Sequence, residues 1–118
     1  MLPLYVTSGE PAGIGPDICL SLAMRIDERP IVVLADLNLL KKRAETLNQT
    51  IELIEYQGQS ASSAQGQLYV EHIPLNTDVV LGELNPNNAA YVLEQLRRSA
   101  DYAMHGKSVG VATAPMQK

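Results

Sequence analysis

Residues 4 to 17 read Leu-Tyr-Val-Thr-Ser-Gly-Glu-Pro-Ala-Gly-Ile-Gly-Pro-Asp, "LYVTSGEPAGIGPD". A short β-branched and aromatic run, "LYVT", passes into a nonet with three glycines and two prolines. The segment from Pro16 onward then has helical spacing, so the nonet is a strand-to-helix turn. Pro16 suits the first helical position, where its missing N–H costs nothing and its φ is preset, with Gly15 as the cap before it. Gly13 and Gly15 admit positive φ and close approach of another group to the backbone. A helix N-terminus facing such a turn offers unpaired N–H groups that suit a phosphate or carboxylate.

The same strand-then-helix alternation runs on through the chain. "PDICLSLAMRI" sets Ile18, Leu22 and Ile26 at helical spacing beside Cys19 and Ala23. "PIVVLAD" (30–36) is a continuous apolar run, the pattern of a strand buried on both faces of a parallel sheet, with Asp36 placed as a helix cap. In the helix that follows, Leu37, Leu40, Ala44 and Leu47 share one side, with Lys41, Lys42, Arg43 and Glu45 largely on the other. "IELIEY" (51–56) and "LYVEHI" (68–73) are further strands, separated by the polar loop "QGQSASSAQGQ". "PLNTDVVLGELNP" is an irregular connection. A helix over 85–105 is capped by Asn85, begins with Pro86 and stops at Gly106, with Ala89, Val92, Leu93, Leu96, Ala100 and Ala103 as its apolar stripe. "SVGVATA" (108–114) is a small, buried-type strand, expected to be central, with the helix covering the sheet and Leu93 in the core.

This alternation predicts an α/β fold in three layers with a mainly parallel sheet. At 118 residues and 12.8 kDa, residues 1–118 make one domain at most. "TAPMQK" has the form of a loop after a parallel strand, the place where open α/β sheets bind ligands. It suggests a single partial domain, a fragment of a longer protein. Nine basic against thirteen acidic residues give a net charge of −4 with no basic stripe, which argues against nucleic-acid binding. No apolar run approaches the ~20 residues of a membrane span and no signal-peptide pattern opens the chain, so a cytoplasmic location without membrane contact is expected. Five Tyr, no Phe and no Trp leave the core to Leu, Ile, Val, Ala and Met. The one cysteine, Cys19, reads as a small core residue.

Spacing alone excludes two familiar phosphate loops. In the dinucleotide fingerprint a third glycine would stand where Ile18 is, and no Gly-Lys-Ser/Thr follows for a nucleoside-triphosphate loop. A phosphoacceptor domain would need clustered acids, yet only Glu10 and Asp36 lie near the first two strand ends. What remains is a Gly/Pro turn that either binds a ligand or simply connects two elements.

"TSGEPAGIGPD", "GELNPNNAAYVLEQL" and "ATAPMQK" together resemble the opening portion of the 4-hydroxythreonine-4-phosphate dehydrogenase family of pyridoxal phosphate biosynthesis. The resemblance implies an isocitrate/isopropylmalate dehydrogenase-like fold, with Gly13-Ile14-Gly15-Pro16-Asp17 as the counterpart of the related turn. It implies oxidation of a secondary alcohol by NAD or NADP, followed by loss of carbon dioxide. A divalent metal (zinc, magnesium or cobalt) would be held by residues outside this chain, so that the 118 residues alone would be inactive. On the resemblance, Glu10, Ala12, Gly13, Ile14 and Gly15 are the cofactor-binding residues, and Thr113 and Lys118 contact a small phosphorylated substrate. No catalytic residue and no metal ligand is assigned within the chain, and a homodimer is implied. His72 and His105 match neither the metal-binding histidines nor the His-Thr motif of the family. Two alternatives stand beside this reading: a paralogue acting on another phosphorylated or carboxylated hydroxy acid, and a non-catalytic α/β binding module.

Overall fold

The computed structural model describes residues 2–24, 30–59, 65–75, 86–108 and 110–113. Strands β1 (Leu4–Thr7), β2 (Ile31–Ala35), β3 (Glu52–Glu55), β4 (Gln67–His72) and β5 (Gly110–Thr113) form one sheet in the order β3-β4-β2-β1-β5. Every neighbouring pair is parallel, and the register sets Thr7 of β1 beside Leu34 of β2 and Thr113 of β5. Helices α1 (Gly15–Ser21), α2 (Leu37–Thr46) and α3 (Ala89–Met104) complete the described elements, with short 3-10 turns at Leu22–Met24 and Pro86–Asn88.

Side-chain alternation along the strands divides the interior into two cores. Val6, Ile31, Val33, Ala35, Leu68 and Val70 pack with Cys19, Leu20, Leu40 and Ala44 of α1 and α2. Tyr5, Val32 and Leu34 pack on the opposite face with Ile73 and Tyr91, and Val92 and Tyr102 of α3 lie against them. The architecture is therefore three-layer α/β with a parallel sheet. Both faces of β2 are covered and all five of its residues are buried, as its unbroken apolar run requires.

Asp36 caps α2 as its sequence position indicates, accepting from the N–H groups of Asn38 (2.8 Å) and Leu39 (3.0 Å). Its second oxygen accepts from the Leu75 N–H at 2.8 Å, which ties the segment after β4 to the start of α2. Gly106, at φ +69, ends the α3 segment as expected, and the Lys107 N–H returns to the Tyr102 carbonyl at 2.9 Å. The Asn85 cap, Ile26 and most of the 74–85 connection lie outside the described residues.

Four expectations are corrected. Strand β5 is an edge strand here, with Val111, Ala112 and Thr113 exposed, while β1 and β2 occupy the interior of the sheet. On α3 the buried residues are Tyr91, Gln95 and Ser99, and Leu93 is 65% exposed. The inward stripe meets backbone groups just past the strand ends, Gln95 at Gly9 after β1 and Tyr91 at Asp36 after β2, with Val92 packed beside them, while Leu93 and Leu96 face outward. In α1 the buried positions are Gly15, Pro16, Cys19 and Leu20, with Ala23 just beyond, while Ile18 is exposed. Arg43, assigned to the solvent side of α2, is 5% exposed.

Candidate functional site

The strand order reverses at β1. The chain leaves β1 through α1 toward β2, and β5, reached after α3, lies on the other flank of β1. The segment following Thr7 therefore emerges at the carboxyl edge where the two windings diverge, which is where open parallel sheets take ligands.

Three side chains from other elements hold that segment: Gln95 of α3, Arg43 of α2 and Asn88 at the start of α3. Gly9 is the position in the turn with positive φ (+75), and a Cβ there would meet no atom within 4 Å. Glycine is required at position 9 by conformation and not by space. Gln95, fully buried on α3, locks it: Oε1 accepts from the Gly9 N–H at 2.9 Å, and Nε2 donates to the Gly9 carbonyl at 3.2 Å. The Ser8 hydroxyl lies between Gln95 Oε1 (3.3 Å) and the Leu34 carbonyl (3.0 Å), joining the turn to β2.

Glu10 to Gly13 forms a β-turn closed by the Gly13 N–H to the Glu10 carbonyl at 3.1 Å, with Pro11 at the position whose φ a proline presets. Beneath it lies Arg43 of α2. Its Nη2 donates to the Pro11 carbonyl (2.8 Å), and its Nη1 donates to the Gly13 carbonyl (3.2 Å) and the Asp17 carboxylate (2.7 Å). Asn88 Nδ2, at the start of α3, donates to Glu10 Oε1 at 3.2 Å.

The residues assigned to the cofactor are thus together on one turn, though with unequal exposure. Ile14 is 60% exposed at its tip, Gly13 and Glu10 are half-buried, and Ala12 and Gly15 are buried. Any ligand contact from Ala12 is made through its backbone. Gly13 and Gly15 do not take positive φ, and Ile14 occupies the cap position, so Gly15 and Pro16 fall inside the first turn of α1. With only seven residues, α1 has too short a stack of peptide dipoles to carry the site by itself. Thr113 reaches the same sheet edge through its pairing with Thr7 and is exposed there, while Lys118 lies outside the described residues.

Arg43, Gln95 and Asn88 escaped sequence reasoning. A signal was present, because Asn88, Tyr91, Gln95, Ser99 and Tyr102 recur at helical spacing as a polar and aromatic stripe. The Tyr91 hydroxyl accepts from the Asp36 N–H at 2.8 Å, so this stripe reaches the end of β2 as well as the turn after β1. Burial pushes the Tyr91 hydroxyl up to about 12 and the Cys19 thiol likewise to about 12, so both are proton-bearing and Cys19 is no nucleophile near neutrality.

The histidines serve local structure. His72 Nδ1 accepts from the Leu37 N–H at 3.0 Å, and His105 Nδ1 lies 2.8 Å from the Asp101 carbonyl at the end of α3. Among the described residues no three His, Cys, Asp or Glu side chains gather as a metal site. No described helix is long and apolar enough to cross a membrane.

A parallel sheet covered on both faces, with a braced, glycine-rich turn at its strand-order reversal, places the chain among open-sheet, three-layer α/β proteins. The family model of the pyridoxal phosphate biosynthetic protein PdxA matches residues 27–118, and the chain belongs to this family. The 4-hydroxythreonine-4-phosphate dehydrogenase of Vibrio cholerae is 45% identical over 117 residues, covering 98% of this chain and 36% of the relative. That of Neisseria meningitidis serogroup B is 48% identical over 113 residues, covering 96% and 34%. The crystal structure of a 4-hydroxythreonine-4-phosphate dehydrogenase from Klebsiella pneumoniae superposes with a TM-score of 0.88 at 27% identity, over 99% of this chain and 37% of that one. A Burkholderia phymatum structure of the same name superposes with a TM-score of 0.88 at 19% identity, a likeness of fold. The chain spans about a third of the length of the curated relatives it matches.

Proposed function

We propose that this chain contributes the dinucleotide-facing turn of a dehydrogenase that oxidises 4-hydroxythreonine 4-phosphate in pyridoxal phosphate biosynthesis, within a protein of the relatives' length. The observation that supports it is the braced turn 8–17 beside Thr113 at the strand-order reversal, in a chain whose relatives bear that enzyme's name. NAD or NADP, when bound, takes a hydride from the alcohol carbon. The chain's own part is to receive and orient it. Ile14 supplies an exposed apolar surface for a planar ring, and half-buried Gly13 beside it adds no side chain of its own. The fixed carbonyls of Pro11 and Gly13 keep the turn from rearranging when a ligand arrives. Thr113 offers a hydroxyl to the phosphorylated substrate from the adjoining strand, with Lys118 as the expected cation beyond it.

An isocitrate/isopropylmalate dehydrogenase-like classification, the loss of carbon dioxide, a homodimer and a cytoplasmic location belong to the same proposal. A divalent metal would be held by residues outside this chain, since no three His, Cys, Asp or Glu side chains gather among the described residues.

The test is to express the complete reading frame and follow dinucleotide reduction with 4-hydroxythreonine 4-phosphate. Turnover is expected, and Gly13→Ala or Ile14→Asp should weaken it more than any loss of thermal stability explains. Turnover of a different phosphorylated hydroxy acid alone would assign a paralogue. Dinucleotide binding without turnover of any such acid would assign a binding module.

A further inference from the structure

We infer that the free edge of β5 and the apolar flank of α3 beside it form one interface within the longer protein, covered by chain outside residues 1–118 that adds a β-strand to that edge and lays apolar side chains on the helix. The inference rests on the relatives' length, as the proposed function does, but not on dehydrogenase activity.

Helical spacing sorts the uncovered side of α3 into two flanks. Ala89, Leu93, Leu96, Ala100 and Ala103 recur at alternating intervals of four and three residues, so they share one flank, and all five are exposed, Leu96 at 39%. Glu94, Arg98 and Asp101 take the other flank. Arg98 shows which way each flank looks, because it reaches Glu71 of β4 at 3.2 Å and Glu94 at 2.7 Å. The sheet order sets β4 and β5 on opposite sides of β2 and β1, so the charged flank leans over β4 and the apolar flank leans over the edge of β5. On that edge Val111 pairs with Tyr5, and residues paired in a parallel ladder point to the same face. Val111 therefore projects on the α3 side, where it is 39% exposed.

The two edges of the sheet are built differently. Strand β3, at the far edge, carries an exposed glutamate at each end, Glu52 and Glu55, and such charges keep a free edge from pairing with another strand. Strand β5 reads Gly-Val-Ala-Thr, without a charge, and Val111, Ala112 and Thr113 are exposed. Its outward N–H and C=O groups are open to a further strand. An unprotected edge continuous with an apolar helix flank has the character of an interface. The curated relatives are about three times as long as this chain, so a protein of that length has a large remainder to place. Pairing on its second side would also fix β5, and with it Thr113.

Thiol labelling and hydrogen exchange in the protein expressed from its complete reading frame test this. Leu93→Cys places a thiol on the apolar flank and Asp101→Cys places one on the charged flank; each labelling rate, assigned by peptide mapping, is divided by that of the same variant unfolded in urea. Position 101 should react within about tenfold of its unfolded rate, and position 93 at least about a hundredfold more slowly than its own. In the unsubstituted protein the β5 amides that point away from β1 should exchange within about tenfold of those that point toward it. Equal labelling at the two positions, or unprotected outward amides in β5, overturns the inference. Protection at position 93 that disappears on dilution assigns the surface to a second copy of the chain and also overturns it, whereas protection independent of concentration supports it. A reading frame with nothing beyond Lys118 overturns it outright. Where Leu93→Cys does not fold, exchange in the unsubstituted protein decides. Protection at both places in a protein without dehydrogenase turnover removes the functional reading and leaves this inference supported.

Discussion

Replacing Gln95 tests whether a polar side chain from α3 holds the turn after β1. Its amide makes three contacts, with the Gly9 N–H (2.9 Å), the Gly9 carbonyl (3.2 Å) and the Ser8 hydroxyl (3.3 Å), and no part of it is exposed. In Gln95→Ala the Ser8 hydroxyl keeps the Leu34 carbonyl at 3.0 Å, but the Gly9 N–H and C=O lose their amide partner. Each buried, unpaired group costs about 1–3 kcal/mol, and the emptied volume adds to this, for a total of about 3–5 kcal/mol if the space stays dry. A water entering it would lower the total to about 2 kcal/mol. Gln95→Met nearly fills the volume while removing the hydrogen bonds, so its cost isolates the polar part, about 2–4 kcal/mol. Leu93→Ala on the same helix is the control: at 65% exposure it should stay within about 0.5 kcal/mol. Urea unfolding of the chain, read as midpoint and slope, measures all three. Gln95→Met within about 0.5 kcal/mol of wild type, or Leu93→Ala costing more than Gln95→Ala, would refute the reasoning.

Leu20→Ala, in the core beneath α1 at 0% exposure, should cost about 2–5 kcal/mol in the same assay, and a smaller loss than that of Leu93→Ala would mean that the inner face of α1 is misassigned. Gly9→Ala should cost about 1–2 kcal/mol from left-handed backbone strain alone, since an added Cβ meets nothing within 4 Å; a stabilised variant would contradict the φ of +75. Stability should fall at alkaline pH, because burial raises Cys19 from 9.0 and Tyr91 from 10.0 to about 12 each. The folded state then holds protons that the unfolded state releases, so this contribution is complete below pH of about 9 and erodes as pH rises toward about 12. Cys19→Ala should flatten the first part of that decline, and an unfolding free energy independent of pH across this window would count against both assignments.

Much of the fold was legible in the chain, and for a local reason. Strand β2 is an unbroken apolar run because a strand covered on both faces has no polar side to display, and this is visible without coordinates. Asp36 before α2 and Gly106 after α3 act through backbone groups a few residues away, so their roles also lie in nearby sequence. The residues that the resemblance assigns to a cofactor are neighbours in the chain, so their gathering on one turn is local as well. Hydrophobic periodicity failed on α3, where the larger apolar set, Leu93 and Leu96 included, faces outward and a polar stripe faces in.

What tertiary structure alone decided is which distant side chains hold that turn. Gln95 lies 86 residues from Gly9 in sequence and Arg43 lies 32 from Pro11, and nothing local demands either residue. Their burial is favourable only because folding brings unpaired backbone carbonyls and an N–H group within reach, which offsets the cost of taking an amide and a guanidinium out of water. The sequence by itself determined the order of strands and helices and the glycine-rich turn at the end of β1. The choice of β5 as an edge strand, the inward face of α3 and the braces beneath the turn came from pairings between segments far apart in the chain, whose energies no window of neighbouring residues contains.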